Sequence, residues 1–207
     1  MSRIVIALFA LVAAAPLAAG AQTPAGRSAA NPPQYKVGDR LQPSKGGKEA
    51  AKETVRYREI KWEELISPNW NPEAIIKSLN LDMMLDSDPR AIAALDRLRQ
   101  EWDNAPGNPT LNGAEVKLAG FVVPLERDGD ALREFLLVPY FGACIHVPPP
   151  PANQIVHVVA SKPIPNAATM DAVWVSGKLT LAPSATQMGR SSYRLQAAVV
   201  EPYTKKP

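Results

Sequence analysis

The sequence predicts an α+β protein in which a short helical N-terminal segment packs on a five-stranded OB-like β-barrel. Three observations carry this. Strand-like runs recur five times between residues 109 and 205, with Gly120 early in the first. Helix-start signals are confined to residues 51–108, at Asn71-Pro72-Glu73 and Asp88-Pro89. Proline is also abundant, 21 of 207 residues, roughly double the usual share of about 5%, so long stiff connections are expected between short elements. A small sandwich is the alternative arrangement of the same strands.

The chain opens with Ser2-Arg3 and an uncharged apolar run from Ile4 to Ala19, followed by the small triplet Ala19-Gly20-Ala21. This is the layout of a cleavable secretory signal over residues 1–21. The run holds Pro16 and Gly20 and is short for a membrane anchor. No later stretch is long enough to span a bilayer, so the mature protein is expected in the bacterial periplasm with no integral span. Residues 22–50, rich in Ala, Gly, Pro, Lys and Gln, read as a flexible linker.

In the helical segment, residues 51–108, Lys61 to Ile66 form a short turn that stops before Pro68. Asn71 caps a helix with Pro72 in its first position and Glu73 in its first turn, ending near Leu79. After Asp88-Pro89, Ile92, Leu95, Leu98 and Trp102 follow at spacings of 3, 3 and 4, the stripe of an amphipathic helix. That stripe, with Trp62, Trp70 and Trp102, is read as core rather than as a ligand groove. Pro106-Gly107 ends it.

The barrel region, residues 109–205, begins at the Asn112-Gly113 turn. Its strands are Val116–Leu125, Glu134–Tyr140, Gln154–Ala160, Ala172–Leu181 and Ser192–Tyr203. The first two are joined by the polar turn Arg127-Asp128-Gly129-Asp130. Asp128 and Asp130 are read as turn residues, because the rest of a calcium loop is missing.

Charge and cysteine usage exclude several functions. The net charge of +3 is spread along the chain, so nucleic acid is not an expected partner. One cysteine excludes an internal disulfide, a Cys-x-x-Cys redox pair and a four-cysteine zinc site. Two histidines exclude a three-histidine metal site.

The chemistry-bearing residues are clustered. Cys144, His146 and His157 are the whole cysteine and histidine content of the chain and lie within 14 positions. In an extended strand, residues 144 and 146 share a face. Pro148 to Pro151 form a stiff loop that fixes the return of the chain, and His157 sits on the returning strand. One thiolate and two imidazoles suit zinc, with water, a carboxylate or a partner as the fourth ligand. Copper is the alternative, with Met170 or Met188 as a weak fourth ligand. A metal would also protect a lone thiol in an oxidising compartment. Three other readings stay open: Cys144 as a small buried hydrophobe, as a catalytic thiol with a histidine base, or as half of an intermolecular disulfide. Asn153 and Gln154 are read as donors to free backbone carbonyls around the proline loop.

Phe121-Val122-Val123-Pro124-Leu125, the run from Glu134 to Gln154 with its Cys-Ile-His-Val-Pro-Pro-Pro-Pro-Ala-Asn-Gln core, Val173-Trp174-Val175-Ser176-Gly177, and upstream Trp62-Glu63-Glu64-Leu65-Ile66 resemble the bacterial exported family of unknown function numbered 3299. The resemblance covers roughly residues 55–203. Some members of that family are encoded beside ABC-type permeases of the lipoprotein-release or macrolide-export kind, in zinc-responsive gene sets. The resemblance thus implies periplasmic metal handling or a transporter accessory. It supplies no ligand list. The reading drawn from all this is a non-enzymatic, metal-binding accessory with Cys144, His146 and His157 as candidate ligands and an ABC-type permease as candidate partner. A metal-free protein-interaction module is the alternative, and a thiol enzyme the third.

Overall fold

A computed structural model describes residues 34–41, 56–79, 88–146 and 149–204. The expected signal segment, most of the expected 22–50 linker, Val147 and Pro148 lie outside the described residues. The compact unit is Tyr35–Pro207.

The strands are β1 (Arg58–Glu59), β2 (Glu115–Asp128), β3 (Ala131–Val138), β4 (Val156–Ile164), β5 (Ala172–Thr186) and β6 (Gly189–Pro202). Their order is β1-β2-β3-β4-β6-β5, and β2 also pairs with β5, which closes five strands into a barrel with β1 appended to β2. The β4–β6 pair is parallel and the other barrel pairs are antiparallel. The expected five-stranded OB-like barrel is therefore the fold, and closure removes the sheet edges that an open five-stranded sheet would expose.

Alternation along the strands produces two apolar layers. Val116, Leu118, Val122, Leu132, Phe135, Leu137, Val156, Val158, Val175, Leu179, Tyr193 and Leu195 fill the main cluster. The opposite face of β2 and β3 is apolar as well: Phe121, Val123, Leu136 and Val138 form a second cluster with Ala143, Ile155 and Met170. Tyr35 and Leu41 pack onto this second cluster, so within the expected linker residues 34–41 lie on the barrel, and Arg40 makes a bridge to Tyr140.

Two glycines are required by the closeness of the strands. A Cβ on Gly120 would lie 2.7 Å from the Leu137 side chain and 2.9 Å from the Val138 carbonyl. On Gly177 it would lie 2.1 Å from the Gln196 carbonyl oxygen, in the β5–β6 pair where the register shifts.

Before the barrel, a 3-10 turn (Trp62–Leu65), α1 (Pro72–Leu79) and α2 (Pro89–Asp103) occupy the expected positions. Asn71 accepts from the Ala74 amide and Asp88 from the Arg90 amide, as their cap positions predict. The α2 stripe is not core, which corrects the expectation. Ala91 is buried and Trp102 meets Trp70 edge-on at 5.9 Å, but Ile92 and Leu95 are exposed. The reason is placement: α2 touches α1 and β6 instead of lying along the barrel wall.

The irregular stretches of this segment are tied down by side chains that donate to their carbonyls. The Tyr193 hydroxyl, inside the barrel, donates to the Leu65 carbonyl at 2.8 Å and accepts from the Asn108 amide. Ser192 donates to Ala105 at 2.6 Å and Asn108 to Glu64 at 2.8 Å. Tyr193→Phe removes both hydroxyl bonds, while the Asn108 amide keeps its own bond to the Leu65 carbonyl at 3.1 Å. It should lower the unfolding free energy in urea by about 1–2 kcal/mol with no change in far-UV spectrum. A loss within measurement error would show that this clamp is not structural.

Candidate functional site

The connection between β3 and β4 carries the cysteine, the prolines and the first histidine. It is not a strand. Gly142 (φ 88°) and Cys144 (φ 64°) both adopt left-handed backbone conformations, and the Ile145 and His146 amides donate back to the Gly142 carbonyl at 3.3 and 2.8 Å. Residues 141–146 therefore coil as turns, and the shared-face argument for residues 144 and 146 does not apply. Cys144 is half-buried against the second apolar cluster, whereas His146 is exposed. A cysteine held at positive φ is unusual, and a packed surrounding must hold it there. The Gly142 amide supports the turn by donating to the Met170 sulfur at 3.2 Å.

Burial pushes the Cys144 thiol up to about 11. At neutral pH it is a protonated thiol, without the electropositive setting that activates nucleophilic cysteines.

His157 lies on β4, opposite Leu136, and is buried. Both ring nitrogens are engaged. Nε2 is 2.7 Å from Oε2 of Glu134 on β3, and Nδ1 is 3.2 Å from the Ser184 hydroxyl on β5. Ser184 is in turn 2.9 Å from the Ser191 hydroxyl on β6. Glu134 was not singled out from the sequence, yet there was a signal for it: it shares the period-two face of Leu136 and Val138, so a carboxylate interrupts an otherwise apolar face. Nothing local marks Ser184 within its Ala-Pro-Ser-Ala run.

Cys144 and His157 face the same side of the barrel. Ile155, extended and two residues before His157, belongs to the cluster that Cys144 borders. The hairpin turn between β5 and β6 reaches the same place. A Cβ on Gly189 would lie 3.2 Å from Ile155, 3.4 Å from Pro149 and 3.9 Å from the Cys144 sulfur. Among the described residues no three of His, Cys, Asp and Glu are grouped so as to hold a metal ion. His146 is not brought to His157.

Asn153 and Gln154 do what the sequence suggested. On a 3-10 turn (Ala152–Gln154), Asn153 donates to the Pro106 carbonyl at 3.0 Å and Gln154 to the Trp62 carbonyl at 2.8 Å. They bind the preceding segment to the barrel. Two clefts flank them. One, of about 330 Å³, is lined by Trp102, Tyr140, Pro149, Pro150, Pro151 and Arg40. The other, of about 260 Å³, lies between Trp62, Trp174 and Lys61 and shares Arg40. Neither cleft is lined by Glu134, His157 or Ser184. The Ser–His–Glu connectivity of those three matches a nucleophile–base–carboxylate set, but it does not open on either cleft.

The sequence profile described as "Protein of unknown function (DUF3299)" matches residues 62–202. The chain belongs to the DUF3299 family. A crystal structure of a DUF3299 family protein from Pseudomonas aeruginosa PAO1 is similar to it, at 34% identity and a TM-score of 0.57, over 74% of this chain and 100% of the other. No curated protein matches. Membership thus agrees with the resemblance carried by the Cys-Ile-His-Val-Pro-Pro-Pro-Pro segment. The match starts at Trp62, so the tied-down 3-10 turn belongs to the DUF3299 unit along with the barrel.

The raised thiol makes the site pH-sensitive in one direction. The folded state holds the Cys144 proton more tightly than the unfolded chain, so its contribution is fully present below the unfolded value near 9. It is lost as pH rises towards 11. Tyr193, pushed up to about 12 by burial, continues the loss above pH 10. Thermal melts from pH 8 to 11 should show the wild-type midpoint falling. In Cys144→Ala the fall should begin about one pH unit later, at the tyrosine. Superimposable profiles would show that the thiol does not titrate differently on folding.

Proposed function

We propose that this DUF3299 protein is a non-enzymatic accessory protein of the bacterial periplasm that works by docking on a partner protein through the outer face of α2. The observation that carries this reading is the open apolar stripe. Ile92 is 55% and Leu95 44% exposed, neighbours on one helix face, whereas on the barrel strands the large apolar residues are buried or half-buried except for the single Val199. Ile76 on α1 is 44% exposed as well. The signal-like N-terminus supports export, and no described helix is long and apolar enough to cross a membrane. A membrane transporter of the ABC permease type is the partner class that the family resemblance suggests. The half-buried, protonated Cys144 and the clefts that miss His157 argue against a thiol enzyme.

A photo-activatable residue at position 95, in cells carrying the natural gene neighbourhood, should give one discrete heavier adduct. The same residue at exposed Arg133 on β3 should give none. Adding Ile92→Asp should abolish the adduct while changing stability by no more than about 0.5 kcal/mol. Absence of an adduct, or an adduct that survives Ile92→Asp, would end this reading.

A second reading, metal handling, is favoured by one observation: Cys144 and His157 face the same side of the barrel, and Glu134 holds His157 on the nitrogen turned away from Ser184. A carboxylate on the far nitrogen is the usual support of a ligating imidazole. Thiolate and imidazole suit zinc first and copper second, and the exposed His146 would have to be brought to them to serve as a third donor. Elemental analysis of the mature protein after zinc addition and desalting tests it. Near-stoichiometric zinc, lost in Cys144→Ser and in His157→Gln, is the expected result. Zinc at background level in the wild type would remove tight zinc binding.

A further inference from the structure

The outer end of the β5–β6 hairpin leaves the barrel. β6 pairs with β4 only as far as Tyr193, opposite Val156. Beyond it, the ladder pairs Ser184 with Ser191, Ala185 with Arg190 and Thr186 with Gly189, with no third strand in the ladder. The register shifts between Leu181 and Ser184, and Pro183, which has no amide proton, sits in that irregularity. A two-stranded ribbon is marginal by itself, so something must hold this one down.

Two sets of contacts do so. The tip faces the site: a Cβ on Gly189 would reach to 3.2 Å from Ile155, 3.4 Å from Pro149 and 3.9 Å from the Cys144 sulfur, and Met188 joins the apolar cluster that Cys144 borders. The root is held by the chain Glu134–His157–Ser184–Ser191, whose members come from β3, β4, β5 and β6 in turn. The tip is braced within itself. The Thr186 hydroxyl donates to the Gly189 carbonyl at 2.9 Å and accepts from the Met188 amide at 3.2 Å. It can therefore move as one body about the irregularity at Pro183.

We propose that residues 184–191 form a lid over Cys144, and that the hydrogen-bonded chain Glu134–His157–Ser184 is the latch that keeps it closed. The latch tolerates either state of the histidine. With a neutral ring, Nε2–H donates to Glu134 and the Ser184 hydroxyl donates to Nδ1. With a charged ring, both nitrogens donate and Ser184 accepts, passing its own proton to Ser191. What opens it is loss of a partner, including any ligand that takes His157 from Ser184. The lid is a property of the hairpin and does not rest on the docking or the metal reading.

The test is the alkylation rate of Cys144 in the folded full-length protein, followed by mass spectrometry at fixed pH with excess iodoacetamide. Ser184→Ala and Glu134→Gln should each raise the rate roughly tenfold over wild type, the equivalent of about 1.4 kcal/mol of easier opening. Equal rates in wild type and both variants would overturn the proposal. Amide hydrogen exchange of the wild type keeps the question decidable should a variant unfold. Residues 184–191 should exchange faster than residues 172–181 of the same strand pair, by local opening. Exchange of both segments together, at the rate of global unfolding, would show that no separate lid exists.

Discussion

The constraint on which this structure depends is the need to satisfy the backbone of a segment that is neither helix nor strand for much of its length. Outside α1 and α2, the described residues between Ile60 and Asn112 make short turns, and apart from the bridge of Ile66 to Gly107 their carbonyls have no ladder to join. Side chains of the barrel and its loops donate to them instead: Tyr193 to Leu65, Ser192 to Ala105, Gln154 to Trp62 and Asn153 to Pro106. Trp62 answers in the other direction, donating its indole N–H to the Ala119 carbonyl of β2 at 2.7 Å. Each bond is modest in net worth, and together they satisfy carbonyls that the turns leave short of donors. The barrel and the segment before it thus form one polar-stitched unit.

This divides the Cys-to-Gln stretch into two kinds of residue. Asn153 and Gln154 are spent on structure, since they fasten the proline loop to the segment it crosses. The prolines set the path of that loop and wall one cleft. Cys144 and His157 are left as groups whose chemistry the fold has not used up, although the fold has covered both. An OB-type barrel offers the face of its second and third strands, here β3 and β4, to ligands. In this chain that face is covered by the protein's own turns and by Tyr35 and Leu41. The open apolar surface has moved to α2, which favours docking at the helix over binding on the barrel wall.

The strands and helix starts were legible because they rest on local rules. Apolar and β-branched runs between turn signals located the five barrel strands, with period-two alternation in the last, and the Asn-Pro and Asp-Pro starts located α1 and α2. The helical stripe was misread because periodicity reports that a face is apolar, not what covers it. Ile92 and Leu95 obey the pattern and still face outward. The turn at Cys144 is not legible because Cys144 packs on the second apolar cluster, most of whose members are distant in sequence or beyond the proline loop. Ser184 was invisible for the same reason, since its partner lies 27 residues away on another strand.

Glu134 shows how such a group can be both costly and useful. A carboxylate on an apolar strand face loses hydration, and the His157 ring at 2.7 Å restores one strong partner. His157, so oriented, is turned with its other nitrogen towards the hairpin rather than towards the turn that carries His146. The histidine nearest to Cys144 in sequence is exposed, while the histidine on its own face of the barrel is held by side chains from two other strands. Any ligand that recruits Cys144 and His157 together must displace Ser184, and in doing so it loosens the hairpin whose tip lies on the sulfur. Under the proposed lid, occupancy of the site and exposure of its thiol are coupled through the Ser184–His157 hydrogen bond of 3.2 Å, worth about 1 kcal/mol.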